Sequence, residues 1–136
     1  MMNFSEIQEV YESLQTARIR LRCSSACVMN VEQMELLSKV IHITEAYILR
    51  YRSAAYAYGI HLQELSVWKT FAAYAHCPYR FYSSHRVNNM ILDTMDSIKN
   101  IISAKNDAIR FSRIKIMLEN YLIQISKCRK LMQAFQ

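Results

Sequence analysis

Glycine and proline are nearly missing from this chain: its 136 residues hold one of each, Gly59 and Pro78. Turns and hairpins draw on these two residues and helix interiors exclude them, so an almost wholly helical fold is expected. Long apolar runs are missing as well. The longest stretch without Asp, Glu, Lys or Arg, 53-SAAYAYGIHLQ-63, is about half of what spans a bilayer, and no membrane insertion is expected. The first ten residues, MMNFSEIQEV, mix acids with apolar side chains and lack a basic start followed by an apolar block, so no signal peptide and a cytoplasmic location are expected. With 52% hydrophobic and 21% charged residues, the composition is far from that of disordered chains. The length suits a single helical domain over residues 1–136 with its own core. Such a chain has no need of bridges, so Cys23, Cys27, Cys77 and Cys128 are read as reduced, mostly buried thiols.

Acids are scarce in the second half. Residues 1–75 carry seven Lys/Arg and seven Asp/Glu, whereas the remaining 61 carry ten and four, and the whole net charge of +6 resides there. Lys105, Arg110, Arg113, Lys115, Lys127, Arg129 and Lys130 lie on or near the last expected helix, opposed there by Asp107 and Glu119. A basic outer face of this kind binds phosphate with steep salt dependence and little sequence preference, which makes nucleic acid one candidate partner. Cations at 127-KCRK-130 also suit the C-terminal end of a helix dipole without any ligand.

The helices can be placed from caps and periodicity. Asn3 and Ser5 precede Glu6 and Gln8 at capping-box spacing, and Ile7, Val10, Tyr11 and Leu14 mark one face. The alternation in 17-ARIRLRC-23 is strand-like, but a lone strand would leave its backbone unpaired, so helix is expected to continue to about Cys27. Asn30 should cap a second helix over about 31–58, with the seam Met34, Leu37, Ile41, Thr44, Ile48, Tyr51, Ala55 and Tyr58, widened by Val40, Ile43, Tyr47 and Ala54. Gly59 should end it. A third helix is expected from about His61 to Ala75, burying Leu65, Trp68, Phe71, Ala72 and Ala75 ahead of Pro78. Ser83 or Ser84 should cap a fourth with the face Ile91, Met95, Ile98 and Ile102. A second unbroken seam, Phe111, Ile114, Leu118, Tyr121, Ile125, Cys128, Met132 and Phe135, is out of register with that face. The slip implies a break near 103-SAKND-107, with Asn106 or Asp107 as cap, and a last helix over about 108–134. The fold class is therefore all-α, a four- to five-helix bundle with two long heptad-bearing helices.

The stretch 76-HCPYRFYSSHR-86 concentrates the candidate chemistry. The spacing of Arg80 and His85 resembles the Arg-x₄₋₆-His element of HEPN domains, small all-helical proteins many of which are ribonucleases. The resemblance implies that Arg80 would stabilise phosphate charge and His85 would do acid–base work. It covers six residues and departs from the pattern at Phe81, where the family usually carries a polar residue such as Asn. Cys23 and Cys27, one helical turn apart, lack the two-residue spacing of zinc sites, and neither metal nor cofactor is expected. His76 beside Cys77 is not an arrangement that activates a nucleophile. Ten of the fifteen aromatics fall between residues 47 and 82, which fits a core centred on the second and third helices with an exposed rim.

Together these features point to a non-catalytic interaction module, an adaptor, secretion-type chaperone or regulator. It would engage another protein, or itself, through a helix seam, with Phe111, Ile114, Leu118, Tyr121, Ile125, Met132 and Phe135 as interface residues. A nucleic-acid-binding helical protein is the alternative, and a HEPN-like ribonuclease the third reading.

Overall fold

The computed structural model describes residues 4–28, 30–75, 77 and 83–135. Among these, five α-helices and a closing 3-10 turn make up an all-helical bundle without strands: α1 Phe4–Ser25, α2 Val31–Ala57, α3 Val67–Ala75, α4 Ser84–Asn106, α5 Ser112–Met132 and the turn Gln133–Phe135. None of the helices is long and apolar enough to cross a membrane, among the described residues.

The caps explain where most elements begin and end. The Asn30 side chain accepts from the Gln33 N–H at 3.0 Å, and Ser83 accepts from the Arg86 N–H at 3.2 Å, each supplying a donor's missing partner in a first turn. Gly59 ends α2 at φ +79°, a conformation that costs a residue with a Cβ dearly. Asn3, expected to cap α1, lies outside the described residues. The strand-like 17-ARIRLRC-23 is helical, with Ala17, Ile19 and Leu21 buried.

Two boundaries differ from the sequence reading. Helix α3 starts at Val67 instead of His61, because Gln8 of α1 takes over the pairing a first turn would supply. Its Nε2 donates to the Gln63 carbonyl at 2.7 Å and its Oε1 accepts from the Gln63 N–H at 2.9 Å. The helix then opens at Ser66, whose hydroxyl accepts from the Lys69 N–H at 3.2 Å. Likewise α4 and α5 are separate, as the register slip requires, but Asp107 ends α4 instead of capping α5, whose first residue is Ser112 after Phe111.

Helices α1, α2, α5 and α4 form the four sides of the bundle, each packed on its two neighbours, and α3 lies outside against α1. Polar contacts give the directions. Tyr51 near the end of α2 donates to the Ile7 carbonyl at 2.8 Å, Lys105 near the end of α4 meets Glu9 at 3.0 Å, and Gln33 and Asn88 pair at 2.8 Å near the starts of α2 and α4. Every adjacent pair is thus antiparallel, while α2 and α4, on the diagonal, run parallel. A parallel diagonal requires a long return connection, and α3, packed on the outside of α1, lies on it.

The core unites the expected faces: Ile7, Val10, Tyr11 and Leu14 from α1, Leu37, Val40, Ile48, Tyr51 and Ala55 from α2, Ile91, Met95, Ile98 and Ile102 from α4. Met34 and Ile41 of the α2 seam sit at the margin, and Tyr58 is largely exposed against Phe111, ring centroids 4.2 Å apart. The buried Gln33–Asn88 pair is satisfied within the core, Asn88 also donating to the Met132 carbonyl at 3.4 Å, so α2, α4 and α5 are keyed together at one end.

Candidate functional site

The α5 seam expected to receive a partner is the inner face of α5. Ile114, Leu118, Tyr121, Ile125 and Met132 are all buried in the bundle, Tyr121 at 0% exposure with its hydroxyl 3.0 Å from Thr44 and its ring 5.2 Å from that of Tyr47. Phe111 and Phe135 are half-buried at its two ends. The seams of α2 and α5 pack side by side within the bundle, so heptad spacing here marks intramolecular packing, which satisfies the same periodicity as an intermolecular one.

The basic set is divided. Arg129 is held by Asp96 through a two-pronged pair at 2.6 and 3.0 Å, and Lys105 is engaged with Glu9. The Asp96 hydrogen bond holds the Arg129 guanidinium above its ordinary pKa, as Glu9 does for Lys105. Arg110, Arg113, Lys127 and Lys130 are exposed and Lys115 is half-exposed. Exposed Ile116, Ile123 and Leu131 interrupt them, so α5 presents a mixed face in place of a continuous basic stripe.

Of the ribonuclease-like pair, Arg80 lies outside the described residues, as do His76 and residues 78–82. His85 is exposed on the first turn of α4, its Nε2 3.2 Å from the Asn89 side-chain amide.

The cysteines depart from expectation. Cys23, near the end of α1, and Cys77, just past α3, form a disulfide with a Cα–Cα distance of 5.6 Å. Return of the chain along α1 brings together two thiols 54 residues apart, and nothing in their sequence spacing announces it. The bridge removes Cys23 from any metal site with Cys27, and no group of three metal-binding side chains gathers among the described residues. Cys27 and Cys128 take no part in a disulfide, and Cys128 is buried with its thiol pushed up by that burial.

The largest departure is α3. Trp68 and Phe71, expected in the core, are 82% and 70% exposed, flanked by Val67 at 83% and Tyr74 at 56%, whereas Ala73 is the buried residue. Small side chains face α1, and the large ones project outward. The periodicity of 67-VWKTFAAYA-75 names the side of Trp68 and Phe71 as the inner face, and the structure turns that side outward and buries Ala73, which lies among Lys69 and Thr70 on the opposite side.

Under the start of α3, the segment leading into it is clamped by a polar cluster. Tyr11 donates to Glu64 at 2.8 Å, Gln15 donates to the same carboxylate, and Arg52 reaches both Glu64 and the Tyr11 hydroxyl, the latter at 2.8 Å. Burial would raise Glu64, but the Tyr11 and Gln15 hydrogen bonds and the Arg52 charge outweigh it and hold the carboxyl below its ordinary pKa. A depressed carboxylate stabilises the fold above its unfolded pKa and loses that contribution as pH falls through its folded one. Glu64→Gln is therefore expected to cost less than about 1 kcal/mol at neutral pH, since the pair is solvent-exposed, and to flatten the acid limb of a stability–pH curve. Thermal melts across the carboxylate range check this.

Between α1, α3 and α4 lies a cleft of about 640 Å³. No protein-family model, curated protein or solved structure matches this chain.

Proposed function

We infer that the protein is a non-catalytic interaction module that docks a protein partner on the outer face of α3. The observation that carries this reading is the outward stripe Val67, Trp68, Phe71 and Tyr74 on a helix pinned by a disulfide at one end and a polar clamp at the other. Monomeric proteins rarely leave contiguous large apolar side chains in water, and Trp and Tyr dominate the energetic centres of interfaces. A rigid, pre-formed stripe also loses little entropy on binding. The net charge of +6 favours a partner whose apolar pocket is ringed by acids, since complementary fields speed encounter. The covalent bridge favours an oxidising compartment over the cytoplasm expected from the first ten residues.

Joint replacement Trp68→Ala and Phe71→Ala is expected to leave stability within about 0.5 kcal/mol, because both side chains are exposed. It should weaken partner capture at least about thirtyfold, the scale of one interface hot spot. The measurement is a parallel pull-down with wild-type and doubly substituted bait from the cells that make the protein, at low and high salt. A protein retained by both baits would move the surface elsewhere. Salt-sensitive nucleic acid retained by both would favour the alternative reading through Arg110, Arg113, Lys115, Lys127 and Lys130.

A further inference from the structure

The inner face of α3 roofs a second surface with different chemistry. The cleft of about 640 Å³ is floored by Ala17 of α1 with Ile98 and Ile101 of α4 and roofed by Leu65, Ala72 and Ala73. Its size is that of small-ligand pockets. From Glu9 to Arg20 it follows α1 for roughly 16 Å at the helical rise per residue. Ile101 stands 37% exposed inside it.

Charge in the cleft is unequal. Two carboxylates and three cations line it. Lys69 holds Glu12 at 2.6 Å and Lys105 holds Glu9 at 3.0 Å, which leaves Arg20 unmatched at the far end. The Arg20 Nε is closed off from solvent and meets no hydrogen-bond acceptor among the described residues. Asp93 lines the adjoining depression with Arg20 but makes no ion pair with it there. An elongated apolar trough that ends at a guanidinium with no ion pair and an unbonded Nε among the described residues matches a molecule with an apolar tail and a single anionic head. A guanidinium presents paired donors that suit a carboxylate.

We propose that this cleft binds an alkyl carboxylate of medium chain length, its tail under α3 and its head at Arg20. The site is separate from the docking stripe, because Lys69, Ala72 and Ala73 face the cleft while Trp68 and Phe71 face away.

Isothermal titration of the whole oxidised protein with decanoate, decan-1-ol and decyl phosphate tests it. Decanoate should bind saturably at one site per chain, at least about tenfold tighter than the alcohol. Arg20→Met should abolish that preference and Arg20→Lys should keep part of it. Ala104→Trp, at an exposed position lining the cleft, should block all three ligands without unfolding the chain. Equal binding of acid and alcohol, retention of decanoate by the folded Arg20→Met protein, or tighter binding of decyl phosphate would each overturn the assignment. So would the absence of saturable decanoate binding. Because Trp68→Ala with Phe71→Ala leaves the cleft intact, that variant should bind decanoate as wild type does.

Discussion

Tyr121→Ala is expected to cost about 3–5 kcal/mol, a loss on the scale of removing a whole aromatic side chain from a packed core. Tyr121 is wholly buried where α5 crosses α2, its ring tilted against Tyr47 and its hydroxyl shared with Thr44. Truncation opens a cavity between two rigid helices and strands the Thr44 hydroxyl without its partner. Tyr121→Phe separates the two effects: it keeps the ring, removes the hydrogen bond and should cost about 1 kcal/mol. Burial pushes the Tyr121 phenol up to about 12, so it stays protonated and able to donate throughout the ordinary pH range. Urea unfolding followed by helical circular dichroism measures both variants. A loss below about 1 kcal/mol for Tyr121→Ala would mean that the α5 seam faces something other than its own bundle.

Cys77→Ser is expected to cost about 2–4 kcal/mol under oxidising conditions, with the effect centred on α3. The bridge closes a segment of 54 residues, so its loss restores much freedom to the unfolded chain. In the folded state α3 packs mainly on α1, and beyond the bridge it is fastened by the Lys69–Glu12 pair, the Gln8–Gln63 hydrogen bonds and the clamp at Glu64. Exposed pairs of that kind contribute little. Amide exchange should therefore quicken over residues 67–75 well before the four-sided bundle opens. Thiol titration of the denatured, unreduced protein should find two reactive groups, Cys27 and Cys128, and four after reduction. Four before reduction would mean that Cys23 and Cys77 are unbridged and that α3 is not pinned.

What could be read in advance, and what could not, follows from the range of each signal. Asn30 before Gln33 and Gly59 after the α2 seam act within a turn of backbone, so they marked the ends of α2 within a residue or two. The slip between the Ile102 face and the Ile114 face marked the α4–α5 break for the same reason. The start of α3 depends on Gln8, 55 residues away, and no local pattern carries that information. The choice of Ala73 over Trp68 as the inward residue depends on how closely α3 approaches α1, which small side chains permit and an indole would prevent. The disulfide and the cleft arise from the same approach, and so both were out of reach of periodicity. Heptad spacing, in turn, states that two helices mesh without saying whether they share a chain.

Covalent closure between Cys23 and Cys77 gives the molecule an unusual load path. Once α1 is pulled free of its neighbours, tension applied at the two ends passes across the sulfurs, and the covalent chain between Cys23 and Cys77 bears none of it. Some 54 residues, roughly 190 Å of contour at full extension, stay hidden until the bond is reduced. The oxidised chain behaves mechanically as a much shorter one, with the aromatic stripe carried inside the slack ring.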